Sequence, residues 1–160
     1  MALAASFDVL LTRNLFYNKK YLTELLAGMI SIEISDSTLD VLKAINLAKD
    51  EEAGAVTTFV GCIRKHEKTG DSMQILKSIE YEAYEEMATK KMKEICSQVL
   101  LIPGIKKICI SHRVGIVPVG EVAIVVAVSS AHRKEGISAV DTIVDQVKLV
   151  VPIWKHLHFA

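Results

Sequence analysis

Apolar and polar positions change period along this chain, and each change marks an element. Ile30, Ile32 and Ile34 alternate with Ser31, Glu33 and Ser35, the two-residue period of a half-buried strand, expected at a sheet edge. Asp36-Ser37 then offers a helix N-cap, and Leu39, Leu42, Ile45 and Leu47 follow at roughly helical spacing. The charged run Lys49-Asp50-Glu51-Glu52 reads as a solvated turn. From Gly54 to Arg64 the Val, Thr and Phe content predicts a strand bounded by glycines, and Gly61 within it predicts a bulge or a close backbone approach. Lys68-Thr69-Gly70-Asp71-Ser72 predicts a loop, and Met73 to Tyr84 a strand passing into a helix. That helix, Tyr84 to Leu101, places Met87, Lys91, Met92, Ile95, Cys96 and Val99 along one side and stops at Pro103-Gly104.

The second half is more apolar. Ile105 to Val117 carries Ile108 and Ile110 on one face and is interrupted by His112-Arg113 and Gly115. Pro118-Val119-Gly120 turns into Val122 to Val128, a continuous β-branched run that suits a strand buried on both faces. So short a link predicts a hairpin and antiparallel pairing. Beyond the strand, Ile137, Val140, Ile143, Val144 and Val147 recur at helical steps. The helix runs from Arg133 through Lys148 to a stop near Pro152, because the residue before a proline avoids the helical region. Ile153-Trp154-Lys155-His156 follows in extended form, with Trp154 expected in the core.

Length and composition narrow the class. At 160 residues, 51% of them hydrophobic and 24% charged, the chain makes one domain that buries about 70% of the surface of its unfolded form. Nineteen basic residues balance nineteen acidic ones, which argues against a nucleic-acid coat. Three widely spaced cysteines, Cys62, Cys96 and Cys109, read as reduced buried thiols of a cytoplasmic protein. No apolar run approaches the ~20 residues of a membrane span. Residues 1–29 read as a helical extension or arm, and 30–160 as the domain.

Chemistry concentrates in cations at strand ends. Val128-Ser129-Ser130-Ala131-His132-Arg133-Lys134 looks like a strand end loaded with donors, and cations just before a helix are not there to complement its dipole. Arg64 and His112-Arg113 close two further strands, and the last helix and its exit supply Lys148 and Lys155. Converging, these groups would form an anion pocket: arginine forks match phosphate and carboxylate oxygens, and a desolvated lysine can serve as base or nucleophile. Taken singly, an Arg or Lys at a strand end is more often merely solvated, and His112 is equally a hydrogen-bonded histidine packed in the hairpin. His156 and His158 share a metal-pair spacing with no further ligand near in sequence. The acids Glu80, Glu82, Glu85 and Glu86 read as a solvated face, and no phosphate-binding glycine loop is present.

A series of short motifs carries a resemblance. Gly54-Ala55-Val56 through Phe59-Val60-Gly61 to Arg64 is followed by Leu76 through Tyr81-Glu82-Ala83-Tyr84 to Met87-Ala88, then by His112-Arg113-Val114-Gly115 and Val119-Gly120-Glu121. Ser130-Ala131-His132-Arg133 comes next, and Lys148 ahead of Pro152-Ile153-Trp154-Lys155 ends the series. In this order, over about residues 30 to 156, the chain resembles the large, catalytic subunit of molybdopterin synthase. The resemblance implies an α+β, α/β hammerhead-like fold, a mixed and largely antiparallel sheet with packed helices. It also implies a homodimer within a heterotetramer, each large subunit binding a small ubiquitin-like sulfur carrier that ends in a glycine thiocarboxylate. Sulfur passes in that family to cyclic pyranopterin monophosphate, precursor Z, with no cofactor, metal, nucleic acid or membrane involved. Carried over by motif, Lys148 and Lys155 are catalytic; Lys148 acts either in near-neutral form, through burial and neighbouring cations, or as a charged group that steers the thiocarboxylate. With Arg64, His132, Arg133 and His156 they also bind substrate. After Lys155 the family has a basic residue, a glutamate and a tail, where this chain has His156-Leu157-His158-Phe159-Ala160. That departure supports an alternative, a non-catalytic homologue that binds the sulfur carrier. His132 and Lys148 stand at opposite ends of one helix, so a common pocket must be elongated, bent around the fold or shared across a dimer.

Overall fold

A computed structural model describes Leu26 and residues 28–160, so nearly all of the predicted 1–29 extension lies outside the described residues. Eleven elements follow in the order β1 (Ile30–Ser35), α1 (Val41–Ala48), β2 (Ala55–Cys62), β3 (His66–Thr69), β4 (Ser72–Ala83), α2 (Glu85–Val99), β5 (Ile105–Arg113), β6 (Gly115–Pro118), β7 (Val122–Ser130), α3 (Arg133–Val150) and β8 (Ile153–Phe159).

The first sheet has the order β1-β5-β7-β2, with β1 parallel to β5 and the other pairs antiparallel. The β-branched run of β7 lies inside this sheet, and Val125 to Ser130 are all fully buried. Alternation along the strands divides the core. On one face Ile108, Ile110, Val126 and Val128 meet Ala88, Met92, Ile95, Cys96 and Val99 of α2 and Ala139, Val140, Ile143, Val144 and Val147 of α3. On the other, Cys109, Val125 and Ala127 meet Leu39, Ala44 and Ala48 around α1. Each large aliphatic side chain so covered contributes about 1.5–3 kcal/mol over an exposed one.

The second sheet is antiparallel, β3-β4-β6, with β8 also paired to β4. Ile63, Leu76, Ile79, Val117 and Ala123, with Tyr81, Val119 and Leu157 beside them, join it to the end of the first. The α+β architecture and the largely antiparallel pairing match the expectation from sequence. Gly61 marks a register shift as expected, and a Cβ there would stand 2.6 Å from Ile124 Cγ2.

Several local expectations are corrected. The cap of α1 is Asp40, whose Oδ1 accepts the Lys43 N–H at 2.9 Å, while the Ser37 N–H is taken by the Ser35 hydroxyl. Leu39 consequently precedes the helix. The Lys68 to Ser72 stretch is the tip of a β3–β4 hairpin turning at Gly70, which has φ 62°. Met73 to Ala83 is strand throughout, and α2 begins at Glu85. Met87 faces solvent because the buried side of α2 centres on Ala88 and Met92. Antiparallel pairing of β5 with β7 holds, but Pro118-Val119-Gly120 is no hairpin turn: β6 leaves the first sheet to pair with β4, and the link returns from one sheet to the other. Ile137 and Trp154 are exposed rather than buried, Trp154 because its strand position turns away from the Ile79–Leu157 cluster. Cys96 and Cys109 are buried, whereas Cys62 is exposed at the end of an edge strand. Among the described residues no helix is long and apolar enough to cross a membrane.

Candidate active site

The strand ends do not all converge, because β2 and β7 are antiparallel. Cys62 pairs with Val122 at the start of β7, and the backbone of Ile63 bonds Glu121 and Gly120. Arg64 therefore stands at the beginning of β7. Arg113, one residue beyond the His112–Ile124 pair, stands at the same end. His132 and Arg133 follow the far end of β7, where Ser130 pairs with Ala55 and Ile105. From there α3 runs back over the sheet, and the 15 steps from Arg133 to Lys148 cover about 22 Å.

Ser129 and Ser130, read from sequence as donors for an anion, are spent internally. Both are fully buried. The Ser129 hydroxyl accepts the Lys107 N–H at 3.0 Å, where the β5–β7 register shifts, and the Ser130 hydroxyl donates to the His132 carbonyl at 2.8 Å. His132, Arg133 and Lys134 remain exposed at the start of α3. His132 is the N-cap residue, with no side-chain hydrogen bond to the helix.

His112 is structural. It is buried, its Nδ1 lies 2.8 Å from the Arg113 carbonyl, and its ring meets Tyr81 edge-on at 5.2 Å. A carbonyl only accepts, so Nδ1 carries the proton. Burial holds the imidazole below its ordinary pKa, against the carbonyl contact that raises it. Arg113 is likewise engaged, its guanidinium paired with Glu121.

Three cations remain at the Arg64 end. Lys148 is in the last turn of α3, exposed, its ammonium 5.9 Å from the centre of the Phe59 ring on β2. Lys155 is exposed on β8, directly opposite Tyr81 of β4. Arg64 lies between β2 and β3, and both its Nε (3.1 Å) and its Nη2 (2.9 Å) donate to Glu67 Oε2. A cavity of about 440 Å³ lined by Arg64, Lys65, His66, Lys68 and Met73 opens beside it. Lys148 is not buried in the single chain, so any desolvation there must come from what binds. His156 points to the other face of β8, where its Nε2 is 3.4 Å from Glu82 Oε2, and His158 Nε2 is 3.1 Å from Glu80 Oε2. The two histidines thus meet carboxylates of β4, and His156 is turned away from the face that carries Lys155.

Glu67 and Tyr81 belong to this neighbourhood without a clear mark in the sequence. Glu67 is one acid inside the cationic run Arg64 to Lys68. Tyr81 becomes relevant only through strand register.

Comparison with known proteins places the chain in a family. The family model described as MoaE protein matches residues 34–149. The chain belongs to the MoaE family. The molybdopterin synthase catalytic subunit of Dictyostelium discoideum is 43% identical over 128 residues, 79% of this chain and 78% of that one. That of Drosophila persimilis is 44% identical over 130 residues but is matched over only 34% of its length, so the chain spans about a third of that relative. Among solved structures, molybdopterin synthase from Staphylococcus aureus superposes with a TM-score of 0.73 at 32% identity, over 80% of this chain and 90% of that one. A complex of subunits 1 and 2 of molybdopterin-converting factor from Helicobacter pylori contains the same fold, with a TM-score of 0.61 at 18% identity over 82% and 90%. As a MoaE-family member the chain is a molybdopterin synthase catalytic subunit, an enzyme component of molybdenum cofactor biosynthesis.

Proposed function

We propose that this MoaE-family subunit moves sulfur from the C-terminal thiocarboxylate of a small ubiquitin-like carrier to cyclic pyranopterin monophosphate, and that two transfers build the molybdopterin dithiolene. Both reactants are anionic, and clustered cations offset that charge most effectively where binding excludes water. Lys148 and Lys155 stand seven residues apart on either side of the Val151-Pro152 exit, where they can flank a carrier tail. Arg64 holds the substrate anion beside them.

The observation that carries the reading is the separation of the cations along α3. His132 and Arg133 lie about 22 Å of helix from Lys148, at the opposite end of β7 from Arg64. One small substrate does not bridge that span within a chain. A homodimer in which a second copy supplies His132 and Arg133 to the pocket formed by Arg64, Lys148 and Lys155 removes the difficulty. Each dimer then offers two such pockets and carries two small subunits. The complex of subunits 1 and 2 in the Helicobacter pylori structure is a precedent for this fold binding a second kind of subunit.

Complementation between inactive variants tests this reading. Lys148→Ala and Arg133→Ala proteins are each expected to make little molybdopterin from the thiocarboxylated carrier and the cyclic substrate. Mixed and allowed to exchange subunits, they form heterodimers with one pocket carrying both defects and one carrying neither, and activity returns. Failure of exchanged heterodimers to recover activity would falsify the shared site.

A further inference from the structure

The inward position of β3 is occupied by a glutamate. His66, Lys68 and Thr69 of this strand are exposed, and Glu67 alone is half-buried, its side chain 18% exposed. An inward strand position ordinarily takes an apolar residue, since removing a carboxylate from water is unfavourable unless a partner compensates it. The partner here is Arg64, whose own side chain is 74% exposed. An ion pair with so open a partner adds little to stability, so its effect is better sought in what it does to the arginine.

We propose that Glu67 is a positioning residue for Arg64, holding the Nε and Nη2 side of the guanidinium so that its remaining donors face the substrate anion. This rests on the reading of Arg64 as a substrate-binding residue. The geometry is specific. One carboxylate oxygen accepts from both Nε and Nη2, which leaves three of the five guanidinium donors unused. Those donors belong to the side that the contact does not cover, beside the cavity lined by Lys65, His66 and Lys68. A free arginine side chain carries about 2 kcal/mol of rotamer entropy, and part of that cost is already met before an anion arrives. Glu67 also ties Arg64 to the Lys155 side of the site. Tyr81, opposite Lys155 in register, is held above its ordinary pKa first by burial and then by the negative charge of Glu67.

A thermodynamic cycle tests the assignment. Dissociation constants for cyclic pyranopterin monophosphate are measured calorimetrically on the intact dimer for wild type, Glu67→Ala, Arg64→Ala and the double variant, and kcat is measured with the thiocarboxylated carrier. Positioning predicts that Glu67→Ala weakens binding by about threefold to tenfold, the worth of one ordinary hydrogen bond. It predicts kcat within about twofold of wild type, and no further weakening when Glu67→Ala is added to Arg64→Ala. Glu67→Gln, which keeps the shape, gives the same direction at smaller size and covers the case in which the alanine variant folds poorly. The proposal is overturned if removing Glu67 leaves affinity unchanged or raises it, since the carboxylate would then merely compete with the substrate. It is overturned equally if the loss persists undiminished in the Arg64→Ala background. If Arg64→Ala itself binds normally, the placing of Arg64 in the substrate site fails, and Glu67 with it.

Discussion

The ammonium of Lys148 lies over the face of Phe59, 5.9 Å from the ring centre. Helical side chains lean toward the N-terminus of their helix, so Lys148 reaches back over β2 from the last turn of α3. An exposed cation–π contact contributes about 0.5–1 kcal/mol. Phe59→Leu is therefore expected to lower the rate of sulfur transfer by about twofold to fivefold, read as molybdopterin formed per minute at saturating carrier.

Substitution of Lys148 itself separates charge from proton transfer. Lys148 is exposed in the single chain, and the expectation is set for a side chain that steers the thiocarboxylate by its charge. Lys148→Ala should lose about a hundredfold or more in kcat, the lower end of the range for a group acting on the reacting atoms, whereas Lys148→Arg keeps a tenth or more of the wild-type rate, to order of magnitude. An arginine variant as inactive as the alanine one would restore the proton-losing role.

Gly136 sets how closely α3 lies on the sheet. A Cβ at this position would come 2.6 Å from Ser130 Oγ and 2.8 Å from Thr57 Oγ1. Alanine is the better helix former by about 1 kcal/mol, yet the collision outweighs that gain. Gly136→Ala is expected to destabilise by about 1–3 kcal/mol, seen as a lower denaturant midpoint. It should also reduce activity, because the whole helix carrying Lys148 must shift outward.

Burial of His112 makes stability depend on pH in a defined window. Its pKa is lowered by desolvation in the folded protein and is about 6.5 in an unfolded chain. The unfolded form therefore binds more protons as pH falls. The stabilisation is complete above about pH 6.5 and is lost as pH drops through that value toward the folded pKa. Glu33, whose pKa is lowered chiefly by its hydrogen bond from Lys43, loses its contribution only at lower pH, as pH falls from the ordinary carboxylate range toward the folded pKa. Thermal unfolding from about pH 7.5 to 5 should show a fall for wild type and a shallower one for His112→Gln; parallel curves would remove His112 as the cause.

The three thiols should separate by reactivity. Burial pushes the Cys96 thiol up to about 12, and the Cys109 thiol is raised by the same cause. The thiolate is the reactive form, and only Cys62 is exposed. One equivalent of thiol reagent should react quickly in the native protein, with the other two following on unfolding. Rapid reaction of Cys96 would contradict its place on the buried face of α2.

Legibility in the sequence followed the strength of the periodic signal. The run from Val122 to Val128 and the helical steps from Val140 to Val147 each have one good burial solution, and both were found where expected. β3 was not, because its residues His66, Glu67, Lys68 and Thr69 have no apolar alternation and its existence depends on pairing with β4. The path of β6 into the second sheet was hidden for a related reason: a four-residue strand beside Pro118 does not reveal which partner it takes. Trp154 was misplaced because hydrophobicity says nothing about which face of β8 turns inward. The cations of the site were visible as residue types at strand ends. Their division between two ends of the sheet was not, since it follows from the direction in which β2 pairs with β7.

The pairing of β8 with β4 makes chain length decide which face Lys155 takes. Ile153, Lys155 and Leu157 stand opposite Ala83, Tyr81 and Ile79, and Trp154 and His156 opposite Glu82 and Glu80. Strand faces alternate with every residue, so a shift of one position exchanges the two sets. A single-residue insertion or deletion between Pro152 and Lys155 would either turn the lysine outward, to where the histidines meet the carboxylates of β4, or force Leu157 out of the core to keep the lysine in place. Spacing after Pro152 is therefore as restrictive as the identity of Lys155, and natural or designed variants of this subunit should tolerate substitutions in that segment far better than changes in its length.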